Sequence, residues 1–315
     1  MSATSQKRPT IAVIGYGSQG RALSLNWQDA GFAVTVGLRQ GSKSRARAKR
    51  DGISRVSSIP PAVADADCIV FAFPDHEHGR VFRESIAPQL RASPTLLFLH
   101  GMSIHFKFLT PPSDADVILL APHGPGNAVR DNYLASGKMS AFVGVFQNAS
   151  SHAQKTLNAL ATNAGFGKKQ LVETTFEHEA IGDMFGEQAV LCGGLAALIK
   201  NGFEVLVEEG IEPDHAYLEV AYQLDLIVDL IKEHGIEGML QRISVAARTG
   251  SLESGPRVVD TGSRERMKEV LADIKSGRFS KKLESLSPED VERIDAKLSA
   301  LSNPALERAA RRFSR

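Results

Sequence analysis

Residues 11–31, IAVIGYGSQGRALSLNWQDAG, decide the fold. A short apolar run, IAVI, meets Gly15, Gly17 and Gly20, and the segment that follows carries helical periodicity. A strand that ends in G-x-G-x-x-G and opens a helix brings bare backbone up to a pyrophosphate, whose charge meets the helix N-terminus. Without that context the three glycines would signal only a tight turn.

Outward from this loop, the next strand-like run leads into VTVGLRQGSKSRARA, which has no Asp or Glu where a ribose 2′-hydroxyl would be gripped. Arg39, Ser42, Lys43 and Ser44 instead offer positive charge and hydroxyl donors, which suit the 2′-phosphate of NADP. A solvated basic loop that leaves NAD usable is the alternative. Further apolar runs, CIVFAF, TLLFLHG, DVILLAP and AFVGVF, alternate with helix-length connections as far as Phe146. Strands buried on both faces read this way, so residues 1–174 are expected to form a doubly wound parallel α/β sheet. From residue 175 to 315 long amphipathic segments replace the strands, with Gly210 and Gly235 at C-capping positions and Pro213 opening a helix. This second domain is expected to be all helical.

A chain of 315 residues accommodates two ordinary domains. Its net charge of +1 excludes the footprint expected of a nucleic-acid or membrane-surface partner, and points to a small-molecule one. Cys68 and Cys192 both lie in apolar runs, as thiols of a reducing compartment do, so the cytoplasm is the expected location. The first ten residues have no apolar core, and no apolar run is expected to approach the ~18 residues of a membrane span.

Two pairs of polar residues stand at i, i+4 spacing, Asp183 with Glu187 and Glu219 with Gln223. Such spacing stacks side chains on one helix face. Carboxylate oxygens are what Mg²⁺ prefers, and MFGEQAVLCGG and YLEVAYQLDLIVDL are too apolar to leave charge without a partner. A wet helix face is the bland alternative. Histidines gather at expected strand ends: His76 and His78 in FPDHEHG, His100 and His105 in LHGMSIH, His123 in APHGPG. His100 and His123 adjoin glycines and are the better catalytic candidates.

Taken together, GYGSQG, GLRQGSKS, LHGMSIH, APHGPG, ETTF, DMFGEQAVLCGG, AYLE, LIVDL and RISVAA resemble the short-form ketol-acid reductoisomerase family from about Ile11 to Leu283. The resemblance implies a Rossmann domain followed by a knotted helical domain, homodimers with shared active sites, NADPH and two Mg²⁺ ions. It implies cofactor contacts from Tyr16, Ser18, Gln19, Arg39, Ser42, Ser44, Asp75, His78 and Gly126. His100 would be catalytic, Asp183, Glu187 and Glu219 would be metal ligands, and Ser244 would touch substrate. Two positions depart from the family, His123 where it has Lys and Gln223 where it has Glu. A histidine near pKa ~6.5 exchanges protons at cellular pH, whereas a lysine near ~10.4 stays a cation. Gln223 keeps a carbonyl oxygen but no charge, so the second metal should be weaker or missing.

These changes fall on the parts that alkyl migration needs and leave those of hydride transfer. The implied function is therefore Mg²⁺-dependent nicotinamide chemistry on a small hydroxy or oxo acid, remodelled for specialised metabolism. A redox-neutral cyclopropanol formation from a sulfonium hydroxy acid, as in one relative that the chain resembles, fits the pair. An ordinary reductoisomerase of branched-chain amino-acid synthesis and a non-catalytic nucleotide sensor are the competing readings. A β-hydroxyacid dehydrogenase would explain GYGSQG but not DMFGEQAVLCGG.

Overall fold

The computed structural model describes residues 8–137 and 139–314. They form two compact units, one running to Gly182 and taking in Leu283–Ser285, the other comprising Asp183–Lys282 and the chain from Leu286.

The first unit is built on eight strands: β1 (Ile11–Ile14), β2 (Val34–Gly37), β3 (Arg55–Ser57), β4 (Cys68–Phe71), β5 (Thr95–Phe98), β6 (Asp116–Pro122), β7 (Ala141–Asn148) and β8 (Leu171–Glu173). Their order across the sheet is β3-β2-β1-β4-β5-β6-β7-β8. The expected parallel arrangement runs from β3 through β6. β7 then runs antiparallel to β6, and β8 parallel to β7. Alternate residues of β1 face opposite cores. Ile11 and Val13 join Trp27, Val70, Leu97 and Leu160, while Ala12 and Ile14 join Ile69, Phe71, Leu96 and Phe98. Both faces of the sheet are thus covered, which is why its strands read as unbroken apolar runs.

The helix α1 (Ser18–Asp29) is locked to the segment after β7 through its polar edge. Trp27 is fully buried and its indole N–H donates to the Leu160 carbonyl at 2.9 Å, while Asn26 Nδ2 donates to the Ala164 carbonyl at 3.0 Å. Because β1 lies between β2 and β4, the chain's winding reverses there, and a crevice opens beyond the carboxyl ends of β1 and β4.

The second unit is helical. The helix Phe176–Phe185, which begins in the first unit, runs on through a π-helical turn, Gly186–Leu191, into the helix Gly193–Glu208. Residues Phe176–Glu208 are together long and apolar enough to cross a membrane, with a mean hydropathy of 1.6 over the most apolar stretch and only 6% of it buried. This corrects the expectation that no segment approaches such a span. Glycines and isolated polar residues interrupt the run letter by letter without lowering its average. Val190, Leu191, Leu195, Leu198 and Val205 are exposed along it. Gly210 ends this helix in the left-handed region, with φ at +88°, and Pro213 opens the helix Pro213–Tyr217, as expected. The second π-helical turn of this unit follows at Leu218–Tyr222. Gly235, at φ 72° and ψ 176°, breaks the helical path within Leu224–Arg242.

Candidate active site

Gly15 leaves β1 at φ +98°, and a Cβ there would lie 2.2 Å from the Ala72 carbonyl oxygen, so only glycine fits this turn. A Cβ on Gly17 would meet nothing within 4 Å, which leaves its backbone open to a ligand. Gln19 reaches across to donate to the Gly124 carbonyl at 2.7 Å, and the Ser18 hydroxyl accepts from the Gly126 N–H at 3.0 Å. Two hydrogen bonds thus tie the glycine loop to the turn after β6. Gly126 spends its donor on Ser18, and a Cβ there would lie 2.0 Å from the Ser18 carbonyl oxygen, so the missing side chain serves the close packing of these two turns.

Beside this loop is a crevice of about 370 Å³ lined by Gly17, Gln19, Phe73, Asp75, His78 and His100, among others. Gln19 Oε1 and Asp75 Oδ1 are buried acceptors without a hydrogen-bond partner among the described residues. A ligand that carries ribose hydroxyls and a carboxamide supplies the donors such atoms lack, so the crevice fits a nicotinamide dinucleotide. His78 is 2% exposed. Its Nε2 lies 2.9 Å from the Phe73 carbonyl, which can only accept, so Nδ1 accepts in turn from the Ser103 hydroxyl at 2.7 Å. Burial pushes its pKa down and keeps the ring neutral. With both nitrogens engaged, His78 offers the crevice a wall and no ring donor. A larger cleft, about 600 Å³ around His105, Thr110 and Phe146, touches neither the glycine loop nor His100.

Tyr16 faces away from this crevice into a small core with Val36, Leu38 and Ala48. Its hydroxyl donates to Asp51 Oδ2 at 3.0 Å, and Arg21 grips the same carboxylate with both Nε (2.7 Å) and Nη2 (3.1 Å). Arg21 holds the Asp51 carboxyl below its usual range, while burial, with that carboxylate adding to it, pushes the Tyr16 phenol up. Arg39 is exposed on the loop after β2, and Ser42 and Ser44 lead into α2 (Ser44–Arg50). Arg45 is turned inward. Its guanidinium donates to the carbonyls of Leu38 (2.7 Å), Ser57 (3.1 Å) and Arg39 (3.3 Å).

His100 ends the loop after β5, and its Nδ1 lies 3.0 Å from Glu179 Oε2. That carboxylate is 3% exposed and also accepts the Gly101 N–H at 2.5 Å. A Cβ on Gly101 would lie 2.2 Å from the Phe176 carbonyl oxygen, so the turn can press this close only as glycine. Nothing in the sequence reading singled out Glu179. The signal available was its place one helical turn before Asp183, in line with Glu187. His123 feels the same carboxylate, which works against the larger effect of burial, and its pKa is lowered overall.

The acids of the helical unit are solvent-exposed in the single chain. Asp183 lies in the last turn of the helix Phe176–Phe185, Glu187 in the first π-helical turn and Glu219 in the second. A π-helical turn re-aims side chains and often accompanies function. Oxygen donors of this kind fit Mg²⁺. Glu219 has His215 Nε2 at 3.7 Å. Gln223 spends its Nε2 on the Leu218 carbonyl at 3.1 Å, and Ser244 caps the helix Val245–Val258 by accepting from the Ala247 N–H at 3.1 Å. The hydroxyl proton of Ser244 is not used by that cap.

The chain matches two family descriptions in order: acetohydroxy acid isomeroreductase, NADPH-binding domain, over residues 6–170, and ketol-acid reductoisomerase, C-terminal domain, over residues 176–312. It is 45% identical over 278 residues to a ketol-acid reductoisomerase (NADP(+)) of Xanthomonas axonopodis pv. citri, covering 88% of this chain and 83% of the relative. A relative of the same name from Pyrobaculum calidifontis is 47% identical over 275 residues, covering 87% and 84%. The solved NADH-preferring ketol-acid reductoisomerase from an uncultured archean superposes with a TM-score of 0.92 at 35% identity, covering 98% of this chain and 95% of that one. A semialdehyde dehydrogenase NAD-binding protein from Cupriavidus necator, at 19% identity and a TM-score of 0.67, shares the fold alone. Both halves match in sequence and the fold is shared along almost the whole length, so this chain belongs to the ketol-acid reductoisomerase family of nicotinamide-dependent oxidoreductases.

Proposed function

We propose that this member of the family is remodelled to act on a small hydroxy or oxo acid in specialised metabolism, by redox-neutral formation of a cyclopropanol from a sulfonium hydroxy acid. The observation that carries the reading is His123, a titratable group near the charge of Glu179, at the position where the resemblance leads one to expect a lysine. In the net reaction one C–H proton leaves, the C–S bond breaks, a C–C bond closes the ring and the sulfide departs neutral. Bound nicotinamide would supply a hydride acceptor and donor, and bound Mg²⁺ would polarise the substrate's oxygens.

The chain's own residues then have distinct tasks. Gly15, Gly17, Gly20, Ser18 and Gln19 shape the pyrophosphate turn, and Arg39, Ser42 and Ser44 meet a 2′-phosphate, which favours NADP. Tyr16 and Gly126 brace that turn, and Asp75 and His78 border the nicotinamide. Asp183, Glu187 and Glu219 hold Mg²⁺, while Gln223 lends a neutral oxygen only. His100, held by Glu179, and His123 move protons at the substrate, and the Ser244 hydroxyl orients its carboxylate. The exposed apolar helical faces support a homodimer that shares its sites, and the kinship to biosynthetic reductoisomerases supports a cytoplasmic location.

The test is to incubate purified enzyme with Mg²⁺, cofactor and a panel of 2-hydroxy acids, including sulfonium-bearing ones, and to read both nicotinamide absorbance and product mass. New cyclopropanol mass without net absorbance change supports the proposal. Conversion of acetolactate at ordinary family rates supports instead the plain reductoisomerase reading, which the 45–47% identity to such enzymes favours.

A further inference from the structure

His123 directly follows β6 and Ser140 directly precedes β7, and the antiparallel register that pairs Pro122 with Ala141 makes them the next facing pair. The His123 N–H donates to the Ser140 carbonyl at 3.0 Å. On the same side, His123 Nδ1 and Ser140 Oγ are 2.8 Å apart. Phe142, two residues on, closes against the imidazole edge-on, with ring centroids 4.3 Å apart at 89°. The ring is therefore held by a backbone bond, a side-chain bond and an aromatic wall. Its other nitrogen, Nε2, has no partner among the described residues.

We propose that Ser140 is a positioning residue that fixes the tautomer of His123, so that Nε2 presents a lone pair to the substrate. The inference rests on the reading of His123 as a proton carrier, and the chemistry selects one direction for the bond. If the serine hydroxyl donated to Nδ1, Nε2 would already hold the ring's only proton, and further loss would require an imidazolate. If Nδ1–H donates to Ser140 Oγ, Nε2 takes a proton from a substrate O–H or C–H and later returns it. The Nδ1–H···Oγ bond persists in both states, so nothing at this bond must rearrange between the two transfers. Burial disfavours the imidazolium formed midway, and Glu179, the charged group that acts on His123, offsets part of that effect.

The test uses full-length enzyme with ¹⁵N-labelled histidine, with His123 assigned by difference from His123→Gln. Long-range proton–nitrogen spectra should report the Nδ1–H tautomer in the unsubstituted protein. Ser140→Ala should release the ring to its intrinsic Nε2–H preference and lower turnover about three- to ten-fold, the worth of one hydrogen bond, with unchanged thermal unfolding. Ser140→Thr, which keeps the hydroxyl, should restore both readouts. An Nε2–H ring in the unsubstituted protein, or a tautomer unmoved by Ser140→Ala, would overturn the role of Ser140 while leaving that of His123 standing. Full activity in His123→Ala would overturn both.

Discussion

Glu179 shows how a residue without a motif can govern one that has one. Its Oε2 takes two donors, His100 Nδ1–H and the Gly101 N–H, in a site nearly closed to water. Glu179→Gln keeps a carbonyl oxygen for both donors but removes the charge that steadies a protonated His100. Turnover should fall about 10²-fold, within the usual range for disabling an acid–base group, with little change in unfolding temperature. Glu179→Ala leaves the Gly101 N–H buried and unmet, at a cost of about 1–3 kcal/mol, which denaturant unfolding would register. Asp51 allows a prediction in pH. Its folded pKa is depressed, first by Arg21, so its stabilisation is complete above the unfolded value of about 3.9 and is lost as pH falls through the lower folded value. Asp51→Asn should therefore lower thermal stability at pH 7 and have a much smaller effect near pH 2. Equal losses at both would show that the Arg21 pairing is not the source.

Among elements, the loop between β2 and α2 is shaped by a cation that turns to its backbone carbonyls. Arg45 binds three carbonyls around that loop, so Arg45→Ala should loosen Arg39, Ser42 and Ser44 together. The expected outcome is a KM for NADPH raised about ten-fold, equivalent to about 1.4 kcal/mol, with kcat nearly unchanged. A proportional loss in kcat would place the defect elsewhere. The elements most legible in the sequence are those whose burial is uniform. IAVI, CIVF and TLLF become β1, β4 and β5, because a strand covered on both faces must be apolar throughout. Arg55–Ser57 and Leu171–Glu173 are three-residue edge strands with polar letters, and they carry no such signal. The direction of β7 is likewise absent from its letters, since AFVGVF reads alike either way. That reversal brings Ser140 to His123, so this part of the candidate site could not be read ahead of the fold. The π-helical turns at Gly186–Leu191 and Leu218–Tyr222 are equally silent, because their residues differ from helix in hydrogen bonding and not in type.

Across the whole molecule, Leu134, Phe146 and Val172 are the exposed large apolar residues described in the first unit, and the others lie on the helical one. Leu191, Val205, Leu226, Ile236, Leu252 and Val258 are all more than half exposed, which is costly for apolar area at about 25 cal/mol per Å². If, as proposed, a second copy covers this surface, sedimentation should find a dimer at micromolar concentration. Paired Leu195→Glu and Leu198→Glu changes should release monomers and abolish turnover, and a fully active monomer would reject shared sites. The two thiols provide a reporter for this assembly. Cys68 is fully buried and burial pushes its pKa far up, so it stays protonated and inert, whereas Cys192 is exposed where the first π-helical turn gives way to the helix Gly193–Glu208. A maleimide dye would thus attach at one position without engineering, and slower attachment at high protein concentration than at low would show that a second copy covers Cys192.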